Sequence, residues 1–421
     1  MKKHKKLIQL TALVVLVSWQ SILLVICVQD SLQQKHYVWL REDKMVCITD
    51  YTRYHAAGQM ARSVDAAKIY IVPAHYAYIN KLIAPFVIEH ESAINFPPPT
   101  IALMSVMSLL PFRLAYQTFT FGSFFFAASA MFYFLFRTRA WSAIDSTIFC
   151  LAVGGSFSVF LTVQVGQWAS ILVAIYCIYF SSSLSKNEIL AGIMLGILTI
   201  KPQYALPQVA IVVVQKRYLS LLCAGVTAVA LNLWAVKLIG LQNCLSYPSV
   251  VSQLSRMKDV GSVGPAHASL RGLLSNIIES GLASDISTIL LGIALFSFAI
   301  LLWKFRRGIA QKQTFVFAVA VIIAMIFSPS SLNYDITLMC LPALLTLSTV
   351  NPLEALQLKS LALRYWHIVF MAYPLITWIF GIFIPKSFTY LYAFLNISLL
   401  IAAIFIFKTK GSELDSNTAH T

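Results

Sequence analysis

Long apolar runs separated by short polar clusters dominate the chain, and the first of them sets the pattern. Leu7 to about Val28 is almost wholly apolar behind Met1-Lys-Lys-His-Lys-Lys6. A secretory signal has only about 7–15 apolar residues before its cleavage site. The longer run therefore predicts an uncleaved membrane helix whose lysines stay in the cytoplasm. Eleven further runs lie near 117–136, 145–162, 167–182, 188–200, 203–215, 218–236, 286–303, 314–328, 335–349, 367–383 and 387–407. As full or half-helical passages of a core about 30 Å thick, they predict an all-α polytopic membrane protein of about twelve transmembrane helices, with both termini cytoplasmic.

The basic residues agree with this topology. Segments predicted to lie inside hold seventeen Lys or Arg, among them Arg137, Lys186, Lys216, Arg217, Lys304 and Lys408, whereas the four short outer turns hold only Lys201 and Lys386. An excess of this kind marks the cytoplasmic side. Residues 97–111 are apolar but bounded by prolines, and a crossing there would put Arg137 and Arg139 outside. They read as a re-entrant or tilted segment, with a thirteenth crossing as the alternative. The organisation is one integral membrane domain over 1–410, with outer loops at 29–96 and 237–285 able to form a lid, and a disordered cytoplasmic tail at 411–421.

Composition excludes an ordinary soluble protein: 59% of residues are hydrophobic and 11% charged, against about 25% charged in soluble domains. The formal net charge of +15 is spread over short clusters at helix ends, so it reads as a topology signal and no nucleic-acid partner is expected. Seven cysteines show no C-x-x-C pair and no zinc spacing, so neither a metal nor a redox cofactor is expected. Cys47 and Cys244 fall in the two outer loops and form a candidate disulfide.

Three predicted crossings are interrupted near the outer face, by Gln164-Val-Gly-Gln-Trp168, by Lys201-Pro-Gln-Tyr204 and by Ser328-Pro-Ser-Ser-Leu-Asn-Tyr-Asp335. Irregular polar backbone at membrane depth needs a protein or watery environment, so these turns should ring one cavity. With only 16 acids in the chain, those beside the cavity stand out. Asp50 precedes a helix-like stretch that brings Tyr54 and Gly58 onto its face; its plain role is a helix cap. Lys201, at a proline-broken turn, is either a phosphate ligand or a snorkelling lysine. Arg271 could hold a phosphate through its bidentate fork, with Arg53 and Lys81 as weaker candidates. His55, Gln59, Gln167 and Gln203 could bind sugar hydroxyls or neighbouring backbone, and Asp335 could cap the next helix.

Asp50-Tyr-Thr-Arg-Tyr-His-Ala-Ala-Gly58, Asn95-Phe-Pro-Pro-Pro99, Gly166-Gln167 and Gly192-Ile-Met-Leu-Gly196 followed by Lys201-Pro-Gln203 occur in this order. As a series they resemble glycosyltransferase family 87, membrane enzymes of the GT-C class. The resemblance runs from about Met1 to Ser331 and is vague in the last 70 residues. It implies a GT-C-type fold and a polyprenyl-phosphate-linked sugar donor. It also implies that Asp50 is the general base, in the place of the family's first-loop aspartate. The mycobacterial mannosyltransferases of the family carry histidine where this chain has Asn333-Tyr334-Asp335, which leaves the sugar open between mannose and another hexose or pentose.

The expected activity is inverting transfer of that sugar to a lipid- or glycan-linked acceptor at the outer face of a bacterial inner membrane, with Asp50 catalytic. Tyr54, His55, Gln59, Gln167, Lys201, Gln203, Arg271 and Asp335 would bind substrate. The rival is a transporter or flippase of lipid-linked sugars, since broken helices around a polar site also describe transporters. Transporters tend to show internal repeats, and none is evident here.

Overall fold

The computed structural model describes residues 2–32, 37–40, 42–88, 94–138, 142–256, 267–306, 312–347, 361–383 and 388–408; the tail at 411–421 lies outside them. Helix α1 (Lys2–Leu32) leads into a segment that holds strands β1 (Tyr37–Leu40) and β2 (Met45–Ile48), helices α2 (Asp50–Met60) and α3 (Val72–Ile83), and strand β3 (Val87–Ile88). Here the all-helical expectation is corrected. β1 pairs antiparallel with β2, and β2 pairs parallel with β3. The reason is local: residues alternate in burial along β2, and Val46 and Ile48 pack under Ala56, Ile79 and Ile83, a period only a strand can satisfy.

Then come α4 (Pro98–Met107), α5 (Phe112–Arg137), α6 (Ala143–Gly154), α7 (Phe157–Val165), α8 (Ala169–Leu184), α9 (Glu188–Ile197), α10 (Pro202–Val214) and α11 (Tyr218–Ile239). The second long loop contributes α12 (Leu241–Arg256) and α13 (Leu270–Leu274), and α14 (Ser280–Lys304), α15 (Gln313–Phe327), α16 (Cys340–Leu347), α17 (Leu361–Phe383) and α18 (Phe388–Lys408) complete the chain.

Among the described residues, four helices are long and apolar enough to cross a membrane alone: α1, α5, α11 and α14. A fifth span is formed if α6 and α7, bent by 60° to one another, count as one. This is a membrane protein with four or five full-length spans among the described residues, and the count of twelve is not established. Several expected crossings are short helices: Glu188–Ile200 rises only about 20 Å at 1.5 Å per residue. The segment at 97–111 folds as the ten-residue α4, about 15 Å long, and packs on α2 and α11.

Burial separates the helices into two kinds. α15 is buried from Phe315 to Ile326, as expected of a helix apolar all round. α1 exposes Leu7, Ile8, Leu10, Val14 and Val15 and is pinned to α6 by polar bonds: Gln9 Nε2 donates to Asp145 Oδ1 at 2.7 Å and Gln20 Nε2 to the Leu151 carbonyl at 2.7 Å. α9 meets α11 through Gly192 and Gly196, where an added Cβ would come within 2.5 Å of Ser220 O and of Thr227 Cβ respectively. This is the small-residue contact by which membrane helices approach closely. The candidate disulfide is not formed: Cys47 lies in β2, and Cys244 of α12 packs beside Tyr70 and Ile239, with no bridge between them.

Candidate active site

All three predicted breaks in the helices are present, at Gly166–Trp168, at Lys201 and at Ser328–Leu332, and residues from each line one cavity of about 150 Å³. Its wall includes Arg53, Tyr54, Phe96, Trp168, Lys201, Gln203, Arg271 and Tyr334.

Asp50 is the first residue of α2, and the cap is Thr49, whose Oγ1 accepts the Thr52 N–H. This corrects the expectation that Asp50 would cap, and it leaves the carboxylate free for other work beside a helix N-terminus, which favours negative charge. Asp50 Oδ2 accepts from Gln167 Nε2 at 2.6 Å. Gln167 Oε1 in turn accepts from the Tyr54 hydroxyl at 2.8 Å and from the Trp168 backbone N–H at 3.3 Å. Two donors on Oε1 fix the amide so that Nε2 can only face Asp50. Burial, with Asp50 and Asp335 nearby, pushes the Tyr54 hydroxyl well above its usual pKa, so it stays a donor. Among the described residues, Asp50 Oδ1 has only Arg53 Nη1 at 3.7 Å, beyond hydrogen-bond length. One oxygen of the carboxylate is held and the other is open.

Two close approaches hold this geometry. Gly166 ends α7 with φ +71°, and a Cβ there would lie 2.5 Å from Tyr51 Cβ. A Cβ on Gly58 would meet the Met104 carbonyl oxygen at 2.2 Å, so the glycine of the Asp50–Gly58 stretch lets α2 lie on α4. α4 begins with prolines after Phe96, and the Phe96 and Tyr54 rings meet with centroids 4.1 Å apart.

On another side of the cavity, Lys201 sits in extended backbone between a 3-10 turn and Pro202. Its Nζ lies 2.7 Å from Asp335 Oδ1, and Asp335 Oδ2 accepts the Leu332 N–H at 3.0 Å. The Asp335 side chain is 0% exposed and that of Lys201 16%. The rings of Tyr204 and Tyr334 flank the ammonium at 5.7 and 5.6 Å. Asp335 is therefore the counter-charge of Lys201, held behind the cavity wall, and it lies at the third position of a 3-10 helix over Asn333–Met339 where a cap was expected.

The serine-proline turn is a hub. Arg271 Nη1 donates to the Pro329 carbonyl at 2.7 Å, Gln203 Nε2 to Ser330 Oγ at 2.9 Å, and the Ala268 N–H to the Ser331 carbonyl at 2.9 Å. Arg271 is buried, and burial lowers its pKa from the usual arginine value, yet a guanidinium keeps its charge. His55 and Gln59 stand apart: their side chains contact each other at 3.2 Å and His55 packs on Phe112, and neither lines the cavity. Phe96, Trp168 and Tyr334 line it although no role was read for them in the sequence; each lies within a stretch whose polar residues drew attention instead. Among the described residues no cluster of His, Cys, Asp or Glu could hold a metal ion.

Broken helices close on a cavity lined by Arg53, Lys201 and Arg271, and Asp50, held by one oxygen, lies on the same helix as the lining residues Arg53 and Tyr54. The chain belongs to glycosyltransferase family 87, whose model matches residues 95–329, and it is therefore a membrane glycosyltransferase. The matched span includes Gln167, Lys201, Gln203 and Arg271, and stops short of Asp50 on one side and Asp335 on the other. No curated protein matches the chain.

Proposed function

We propose that the protein moves one sugar, mannose or another hexose or pentose, from a polyprenyl-phosphate carrier to a lipid- or glycan-linked acceptor, with inversion. The site would work at the outer face of a bacterial inner membrane. The acceptor hydroxyl gives its proton to Asp50 Oδ1 as its oxygen attacks the anomeric carbon, and the bond from that carbon to the phosphate oxygen breaks. The leaving group is already a phosphodiester anion and needs no acid, only positive charge to hold it. Lys201, Arg53 and Arg271 supply that charge.

The observation that carries this reading is the state of Asp50: one oxygen fixed by Gln167, the other open, beside a cation-lined cavity. Inversion is favoured because retention needs a second carboxylate as nucleophile, about 5 Å from the first. Asp335 has both oxygens engaged and is fully buried.

The test offers radiolabelled polyprenyl-phosphate sugars and membrane lipid extract to purified wild type and to Asp50→Asn. Asparagine keeps an acceptor for Gln167, so the fold should persist while turnover falls roughly 10²–10⁴-fold, the usual worth of a general base. Equal product from both would exclude Asp50 as the base. No product from either, with labelled lipid crossing the bilayer of proteoliposomes, would favour the flippase.

A further inference from the structure

Trp168 is a cavity residue that the transfer reading leaves without a task. It follows Gln167 directly and precedes α8, it is 5% exposed, and it lines the cavity with Tyr54, Lys201 and Arg271. Its indole Nε1–H has no hydrogen-bond partner among the described residues. A buried donor without an acceptor is a standing cost to a fold, and native structures rarely keep one without a use. Its ring neighbours meet it edge-on, Tyr54 at 87° and Phe119 at 79°. They fix the indole plane, but an aromatic face is a weaker acceptor than an oxygen.

The chemistry of the group narrows what it can recognise. An indole N–H donates and never accepts, and it carries no charge. An anionic phosphate is better served by Lys201, Arg53 and Arg271, all lining the same cavity. In an inverting displacement the attacked sugar lies between the base and the leaving phosphate. Trp168 lines the cavity that Lys201 also lines, and it directly follows Gln167, whose amide holds Asp50. We infer that Trp168 is a specificity-determining residue whose indole N–H donates to one hydroxyl oxygen of the transferred sugar. The inference rests on the cavity being the donor site, and it adds that the enzyme selects its sugar by a hydroxyl, at the ring position this N–H reaches.

The test measures binding without turnover, by calorimetry on the full-length protein in detergent. The probes are hexose and pentose 1-phosphates, their monodeoxy analogues and inorganic phosphate. Wild type is compared with Trp168→Phe and with protein in which the indole at position 168 is replaced by its benzothiophene isostere, which removes the N–H and keeps the shape. Wild type should disfavour one monodeoxy analogue roughly 10- to 100-fold, the range for a buried polar group left unpaired. Both altered proteins should bind the parent sugar phosphate more weakly by that factor and no longer distinguish the analogue, while inorganic phosphate binds all three alike. Unchanged discrimination in the isostere protein overturns the inference and leaves the indole a packing residue. A parallel loss of inorganic phosphate binding also overturns it, by making the N–H a phosphate ligand. Discrimination by a wild type that transfers no sugar would uphold the indole's role while the transfer reading fell; a wild type that binds no sugar phosphate overturns both.

Discussion

Gln167 decides which oxygen of Asp50 is available. Its amide is oriented by Tyr54 and by the Trp168 backbone, and it spends its Nε2–H on Oδ2, so the carboxylate presents Oδ1 in one direction. Gln167 was read in the sequence as a ligand for sugar hydroxyls or neighbouring backbone; in the structure its amide bonds Asp50, Tyr54 and the Trp168 N–H, which under the proposed function makes it a positioning residue. Gln167→Ala should lower kcat roughly 10- to 100-fold, the scale of a small misplacement of a catalytic group. Donor KM should stay unchanged, because Lys201 and Arg271 are untouched. A rise in KM with kcat preserved would return Gln167 to the role of ligand. Asp50 was legible as a candidate because acids are scarce in this chain, but its neighbours were not, since Gln167 lies 117 positions away.

At the level of elements, a break in a helix is what makes Lys201 and Asp335 partners. Sequence reading gave the lysine a phosphate and the aspartate a sugar or a cap. The tertiary fold joins them at 2.7 Å across 134 residues. Removing one partner of a buried pair leaves the other charge uncompensated, at a cost of about 3–5 kcal/mol. Lys201→Met alone should therefore destabilise the protein by about 3 kcal/mol, the lower end because the ammonium keeps some exposure. Lys201→Met combined with Asp335→Asn should restore thermal stability in detergent without restoring donor binding. Recovery of both stability and transfer in the double variant would show that Lys201 serves the fold alone. The glycine patterns belong to the same scale: Gly58 and the Gly192–Gly196 pair stood out as motif residues, and their work is to let helices approach.

Across the whole molecule, the breaks at Gly166–Trp168, Lys201 and Ser328–Leu332 meet at one cavity, and the charge pattern predicts which side of the membrane that cavity faces. Alkaline phosphatase, active only outside the cytoplasm, should be active when fused after Lys81 and inactive when fused after Lys186 or Lys216. The opposite pattern would turn the site inward and exclude a donor presented at the outer face.

The sequence by itself determined the membrane character, the helical bulk, the three broken turns and the scarce acids, because hydropathy, proline and charge act locally or through the bilayer, which every residue meets independently. Only the tertiary structure decided that Thr49 caps α2, that short strands follow α1, that Cys47 and Cys244 stay unbridged and that Gln167 faces Asp50. It also paired Lys201 with Asp335 and left the Trp168 indole N–H without a hydrogen-bond partner among the described residues. Those outcomes depend on which distant segments pack together, and a hydrogen bond over a hundred residues of separation leaves no trace in the local pattern of either segment.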